Sequence, residues 1–473
     1  MKSLRKASAK SLYNKARLSD QEEPCGPCCD TEFTGRDAPP ASPMKLHQVR
    51  QWIGRSIGNR ELLWTALGQG LLVVQSLIQT KVLTHYLTKA DYGQWALILS
   101  IVLLVGALPF SALDQGVVNL AGGLQTQTER AALLAHTIFI YSFVFTGSVG
   151  LLIAICMILR PDALGLLAPV LIYAYSEILR NALMSFANST RNRRVVALQR
   201  AWDLVSRCGL LLLAASQDRL DILTILLILT ATNIVGVAAS WTSAGRLHIP
   251  RWDALRKTLG SLLRFSWPLV IWALFGWLQN MVSRWYLDNS ASKDVVASYA
   301  VVVSTSFFIP NFLYTVAASY ILPILFARSG PLPIRRYMQL MLLFAAVLGA
   351  YSFATIPVAP FLLLALTDGK YVALAPFVPW LTASSSLQVV ASLFTMELFR
   401  AGRTRELLIP SIAPGLISFA LGFYLVPRLG LTGAVGTYIV GQLVYAVTAV
   451  LVSSRHLVKQ ERSSGRYASR GRD

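Results

Sequence analysis

Apolar runs of about 20 or more residues, separated by short polar punctuation, recur along the whole chain. That is the length an α-helix needs to cross roughly 30 Å of hydrocarbon at about 1.5 Å per residue. Inside a bilayer each backbone N–H and C=O must find its partner within the segment, so these runs have to be helices. The expected spans lie near 62–84, 95–119, 132–159, 164–187, 195–215, 222–244, 265–287, 296–325, 337–366, 372–398, 407–426 and 431–453. With 54% of its 473 residues hydrophobic and only 14% charged, the chain is excluded from the class of ordinary soluble enzymes, which carry about 25% charged residues.

The formal charge of +20 raises the question of nucleic acid, and its distribution answers it. Of the 43 Lys and Arg, 32 fall in the two tails and in alternate loops, 6 in the opposite loops and 5 inside spans. Such one-sided placement is the positive-inside signal of a membrane protein. It predicts both termini in the cytoplasm and no nucleic-acid partner. Residues 1–60 are polar and mixed in charge, with no apolar run long enough for a signal peptide, and are expected to be a disordered basic tail. Met44 follows a Pro-rich stretch and is a second plausible start of translation. Residues 61–244 would form a first lobe of six spans, 245–264 a cytoplasmic linker, 265–454 a second lobe of six, and 455–473 a basic tail. Either tail is suited to anionic membrane lipid.

His85-Tyr86-Leu87 closes the first span and Trp285-Tyr286-Leu287 the seventh, and a tyrosine opens the next helix in both cases (Tyr92, Tyr299). This echo suggests an internal duplication. Because six is even, both halves enter the membrane from the same side, and the pseudo-two-fold axis runs along the membrane normal. The expected fold is therefore all-α and polytopic, with about twelve helices in two six-helix lobes.

Catalytic and metal motifs are missing. The sequence holds no phosphate loop, no HExxH and no GxSxG, and its five histidines are scattered. Cys25-Gly26-Pro27-Cys28 matches a thioredoxin-like active-site sequence, but no strand-helix unit surrounds it, so it is taken as a chance match. Asn188-Ser189-Thr190 fits the glycosylation sequon on what is expected to be the cytoplasmic side. No enzyme activity, cofactor or metal is expected.

Ionisable and amide residues inside spans carry the information, since each costs several kcal/mol in hydrocarbon unless paired or hydrated. Counting from the hairpin turn at Arg191, Glu177 and Arg207 lie at matching depths, as do Arg180 and Asp203, so each pair can meet across spans four and five. These charges either only neutralise one another and fix helix register, or line a hydrated cavity. Gln75 and Gln79 precede Lys81, and Gln279-Asn280 precede Arg284, so the first and seventh helices each carry a polar face. The expected substrate-binding set is Arg284, then Arg207, Arg200, Arg180, Lys81, Gln279, Asn280, Gln75 and Gln79. Glu177, Asp114, Asp203 and Glu397 are the candidates for ion coupling.

Leu83-Thr84-His85-Tyr86-Leu87-Thr88-Lys89-Ala90-Asp91-Tyr92-Gly93 resembles the first-loop signature of polysaccharide-transport flippases, with His85 where an arginine is usual. Phe265-Ser266-Trp267-Pro268 and Ser283-Arg284-Trp285-Tyr286-Leu287 resemble that family's span-seven signature, with Ser283 where aspartate is common. The family belongs to the multidrug, oligosaccharidyl-lipid and polysaccharide exporter superfamily. The resemblance implies a bacterial inner-membrane protein that moves a polyprenyl-pyrophosphate-linked oligosaccharide by alternating access, with polysaccharide polymerase and export machinery as partners. An ion-coupled exporter of small cationic compounds on the same fold is the alternative. A membrane polymerase or ligase would need a large catalytic loop that the sequence lacks.

Overall fold

The computed structural model describes residues 60–121, 126–159, 164–190, 192–243, 252–327, 334–401 and 403–470. The CGPC sequence, Arg191, Arg328 and the first part of the expected linker lie outside these. Among the described residues all regular structure is helical: α1 (Arg60–Tyr86), α2 (Lys89–Val105), α3 (Ala112–Ala121), α4 (Gln127–Leu159), α5 (Leu164–Ser189), α6 (Arg193–Ser216) and α7 (Ile222–Ser243), then α8 (Trp252–Ser290), α9 (Lys293–Ala327), α10 (Ile334–Thr367), α11 (Val378–Arg400), α12 (Leu408–Leu429) and α13 (Leu431–Arg470).

Helices α2 and α3 are one span bent by 43°. The π-helical segment Gly106–Ser111 between them contains Pro109, which has no N–H to give to the ladder. Counted this way the chain makes the twelve crossings of an all-α membrane protein in two six-helix lobes. From Trp252 on, the expected linker is helical and continuous with α8.

Among the described residues eight helices are long and apolar enough to cross a membrane on composition alone, and the bent pair makes a ninth. The three that fall short, α1, α5 and α6, each carry amides or charges well inside the helix. They are tolerated because they pack on one another: Gly68 of α1 lies against Ala197 of α6, and α5 joins α6 through ion pairs described below. Large side chains that remain uncovered, such as Phe143, Phe353, Phe361 and Trp380, suit a perimeter whose solvent is lipid rather than water.

The helix starts explain part of the first-loop signature. Thr88 caps α2, accepting from the Asp91 N–H at 3.1 Å while its hydroxyl donates to the Asp91 carboxylate at 2.6 Å, a reciprocal cap that satisfies an orphan donor. Gly93 is required by packing. A Cβ there would lie 2.0 Å from the backbone oxygen of Lys293, so α2 and α9, the second helices of the two lobes, cross with backbones nearly touching. A core of Tyr92, Trp95, Leu97, Val296, Ala297, Tyr299 and Val301 seals this crossing. We call the end of the bundle where α1 ends and α2 begins the distal face, and the end where α1 begins the proximal face.

Candidate functional site

The chain holds two groups of buried polar residues of opposite character. In the first lobe, α5 supplies Glu177 and Arg180, α6 supplies Arg200, Asp203 and Arg207, and α7 supplies Asn233. Spacings of three and four residues put each helix's members on one face. Both expected cross-hairpin pairs form: Arg207 Nη2 donates to Glu177 Oε2 at 2.9 Å, and Arg180 Nη1 to Asp203 Oδ2 at 2.6 Å. Counting depth alone misses the rest. Arg180 also bonds Glu177 on its own helix, and Asn233 ties both sides, accepting from Arg207 and donating to Glu177 Oε2 at 3.1 Å and to Ser176 Oγ at 3.0 Å. Asp203 at its centre is 0% exposed, while Glu177 and Arg200 are partly exposed.

Three guanidiniums share two carboxylates, leaving one formal positive charge. Arg200 is the cation held least: its Nη1 is 4.0 Å from an Asp203 oxygen that Arg180 already occupies, and its Nε has no hydrogen-bond partner among the described residues.

The second group surrounds Arg284 on α8. Its side chain is buried, and its Nη1 donates to the Ala96 carbonyl of α2 at 3.1 Å. Its Nε has no partner, and no described carboxylate lies within ion-pair distance. Buried tyrosines, Tyr92, Tyr299 and Tyr438, belong to its surroundings. The hydroxyls of Ser283 and Tyr299 lie together, within reach of each other. A buried cation without a counter-ion is costly by several kcal/mol. Alongside Arg284, Trp277 and Trp285 of α8 reach the same neighbour, donating to the Ser100 carbonyl at 2.8 Å and to its hydroxyl at 3.1 Å. One face of α8 thus grips α2 across the lobe boundary.

The other expected site residues are dispersed. Gln279 and Asn280 do not share a cluster with Arg284; both bond Gln442 of α13, Gln279 Nε2 donating to its Oε1 at 2.8 Å and Gln442 Nε2 donating to Asn280 Oδ1 at 3.1 Å. The sequence offered no sign of Gln442, because its partners lie on the first helix of the lobe and it lies on the last. Gln75 is buried on α1, where its carbonyl receives the Cys208 thiol of α6 at 3.9 Å and its Oε1 stays unpartnered. Gln79 is half-buried one turn further on. Lys81 forms an ion pair with Asp368 at the distal face. Asp114 accepts from the fully buried Tyr141 hydroxyl at 2.6 Å, and Glu397 is buried in α11. The sequon residue Asn188 accepts from Arg193 at 2.6 Å. No group of three or more His, Cys, Asp and Glu suited to a metal occurs among the described residues.

No known family's sequence profile matches the chain, and no curated protein matches it. Solved structures do. The fold is similar to that of a multidrug-resistance MATE family transporter of the MOP superfamily in its inward-facing conformation, at TM-score 0.63 and 14% identity over 84% of this chain and 96% of that one. It is similar to a variant of the Vibrio cholerae MATE transporter VcmN, at TM-score 0.61 and 14% identity over 85% and 96%. A third similar structure is a MOP superfamily transporter from Pyrococcus furiosus, at TM-score 0.55 and 12% identity over 85% and 95%, described as having a binding pocket of reversed polarity that suggests a different function. At these identities the comparison establishes the fold.

Proposed function

We propose that the chain is a transporter that moves a lipid-linked, pyrophosphate-bearing oligosaccharide across the bacterial inner membrane by alternating access, with both termini in the cytoplasm and no enzymatic step. Arg284 carries this reading. A guanidinium held at the lobe boundary without a carboxylate suits an anion that arrives and leaves, since two parallel N–H donors match a phosphate edge. Arg200, the least-held cation of the first lobe, lies near the proximal end of α6 and would meet the anion on that side. The lipid tail could stay in the bilayer while the lobes rock, an arrangement that inverted or repeated lobes support in membrane transporters. Polysaccharide polymerase and export machinery would be the partners.

The alternative, an exporter of small cationic compounds, is favoured by the multidrug transporters among the similar structures. On that reading Asp114, Glu177, Asp203 and Glu397 would couple ions. Charge distinguishes the two. A cation exporter has no use for an uncompensated arginine at the lobe boundary, and a different polarity is on record for one protein of this fold.

The test is transport by the purified full chain in liposomes, with a short-chain polyprenyl-pyrophosphate sugar and a cationic dye offered separately. Movement of the pyrophosphate substrate, lost in Arg284→Ala and partly kept in Arg284→Lys, is the expected result. Dye movement that survives Arg284→Ala, with no movement of the pyrophosphate substrate, would replace the proposal by the exporter.

A further inference from the structure

The turn after α10 reaches across the lobe boundary to the end of α1. Asp368 and Gly369 both have left-handed backbone (φ 48° and 86°), a conformation that glycine adopts freely and aspartate tolerates better than most residues. It reverses the chain sharply enough to present Asp368 and Lys370 to α1 together. Asp368 takes the Lys81 ammonium on one carboxylate oxygen and the His85 ring on the other, and these two partners hold its carboxyl below the usual carboxylate range.

Lys370 does the complementary job. Its ammonium donates to the carbonyls of Thr84 at 2.8 Å, His85 at 2.7 Å and Leu87 at 3.3 Å. Those are the carbonyls that a helix C-terminus leaves without intrahelical partners, at the negative end of its dipole. In between, the Thr84 hydroxyl donates to the Leu366 carbonyl at 2.8 Å. The C-terminal cap of α1 is therefore supplied by the other lobe, and it exists only while the lobes touch here.

We propose that the Asp368–Lys370 turn is the latch of the distal face: it caps α1 in trans and holds α2 against α9, and the lobes part on this face when the turn lets go. Its contacts are suited to release. The Lys81, His85 and Asp368 side chains are 38–50% exposed, so water can replace each bond at little cost, whereas Gly93 at the crossing is buried. The proposal needs only that the lobes separate at this end and is independent of what is carried.

The test uses the full chain with its native cysteines replaced and a single reporter, Ala297→Cys. Ala297 is fully buried, one helical turn beyond the Lys293 backbone that meets Gly93. Maleimide labelling of the purified protein in nanodiscs then reports opening of the crossing. Asp368→Asn keeps a residue that tolerates the left-handed turn while removing its charge, and Lys370→Met removes the cap.

Together they are expected to raise the labelling rate about tenfold, equivalent to about 1.4 kcal/mol, in the range that a few partly exposed charge contacts supply. Lys370→Arg should label as the parent does. A second reporter, Ala449→Cys, buried within the second lobe, should stay unlabelled throughout. An unchanged rate at 297 would overturn the latch, and so would a parallel rise at 449, which would mean a loosened fold.

Discussion

The two lobes handle buried cations in opposite ways. In the first, Arg180 and Arg207 are held among Glu177, Asp203 and Asn233; in the second, Arg284 donates to a backbone carbonyl and has no carboxylate at ion-pair distance among the described residues. Removing one member of a balanced buried pair strands the other, so such residues are read out as stability. Removing Arg284, whose hydrogen bond goes to a backbone carbonyl, strands no carboxylate among the described residues. The first lobe thus holds its charges as one paired network, and the second holds a buried cation without a carboxylate, the feature on which the proposed function rests.

Arginine truncation breaks or upholds this comparison most directly. Arg284→Ala should abolish transport at normal membrane abundance, measured by liposome transport with immunoblot control. Arg207→Ala should do the reverse in kind, lowering abundance because Glu177 and Asp203 are then left to share Arg180 as their close cation. Adding Glu177→Gln should restore much of that abundance. Equal abundance losses in Arg284→Ala and Arg207→Ala would erase the distinction between the lobes.

A smaller effect is expected where the lobes meet. Gly93→Ala places a methyl against the Lys293 backbone, which no rotamer can relieve, so α2 and α9 must shift apart. Labelling of the Ala297→Cys reporter should rise severalfold with no change in its partner at 449. Smaller again is the amide relay of the second lobe. Gln442→Leu should cost about 1–3 kcal/mol by leaving the Gln279 and Asn280 amides unsatisfied, seen as a lower midpoint in thermal denaturation; Gln279→Leu added to it should recover part of the loss. The smallest expectation is none at all: Cys25→Ser with Cys28→Ser should leave transport and abundance unchanged, and a clear loss would return the CGPC sequence to the site.

Local spacing made much of the first lobe legible. Glu177, Arg180, Asp203 and Arg207 belong to consecutive helices joined by a tight turn, so residue counting fixes their relative depth and hence their pairing. The second lobe gave less away. Gln279 and Asn280 look in sequence like part of the surroundings of Arg284, yet their hydrogen bonds go to Gln442, some 160 residues on, which takes them both. Lys81 lies near a helix end, where reaching toward headgroups explains a lysine well enough. Its true partner is Asp368, 287 residues away.

Amino-acid order alone determined that this chain spans a membrane about twelve times and which charges of one hairpin meet. Those properties follow from hydrocarbon thickness, backbone hydrogen bonding and helical rise, all of them local. Only the tertiary structure decided that Arg284 lacks a counter-ion, that Gly93 sits at a backbone crossing and that α1 is capped from the opposite lobe. Each of these depends on which helices become neighbours across the lobe boundary, and that choice is made by packing between segments hundreds of residues apart.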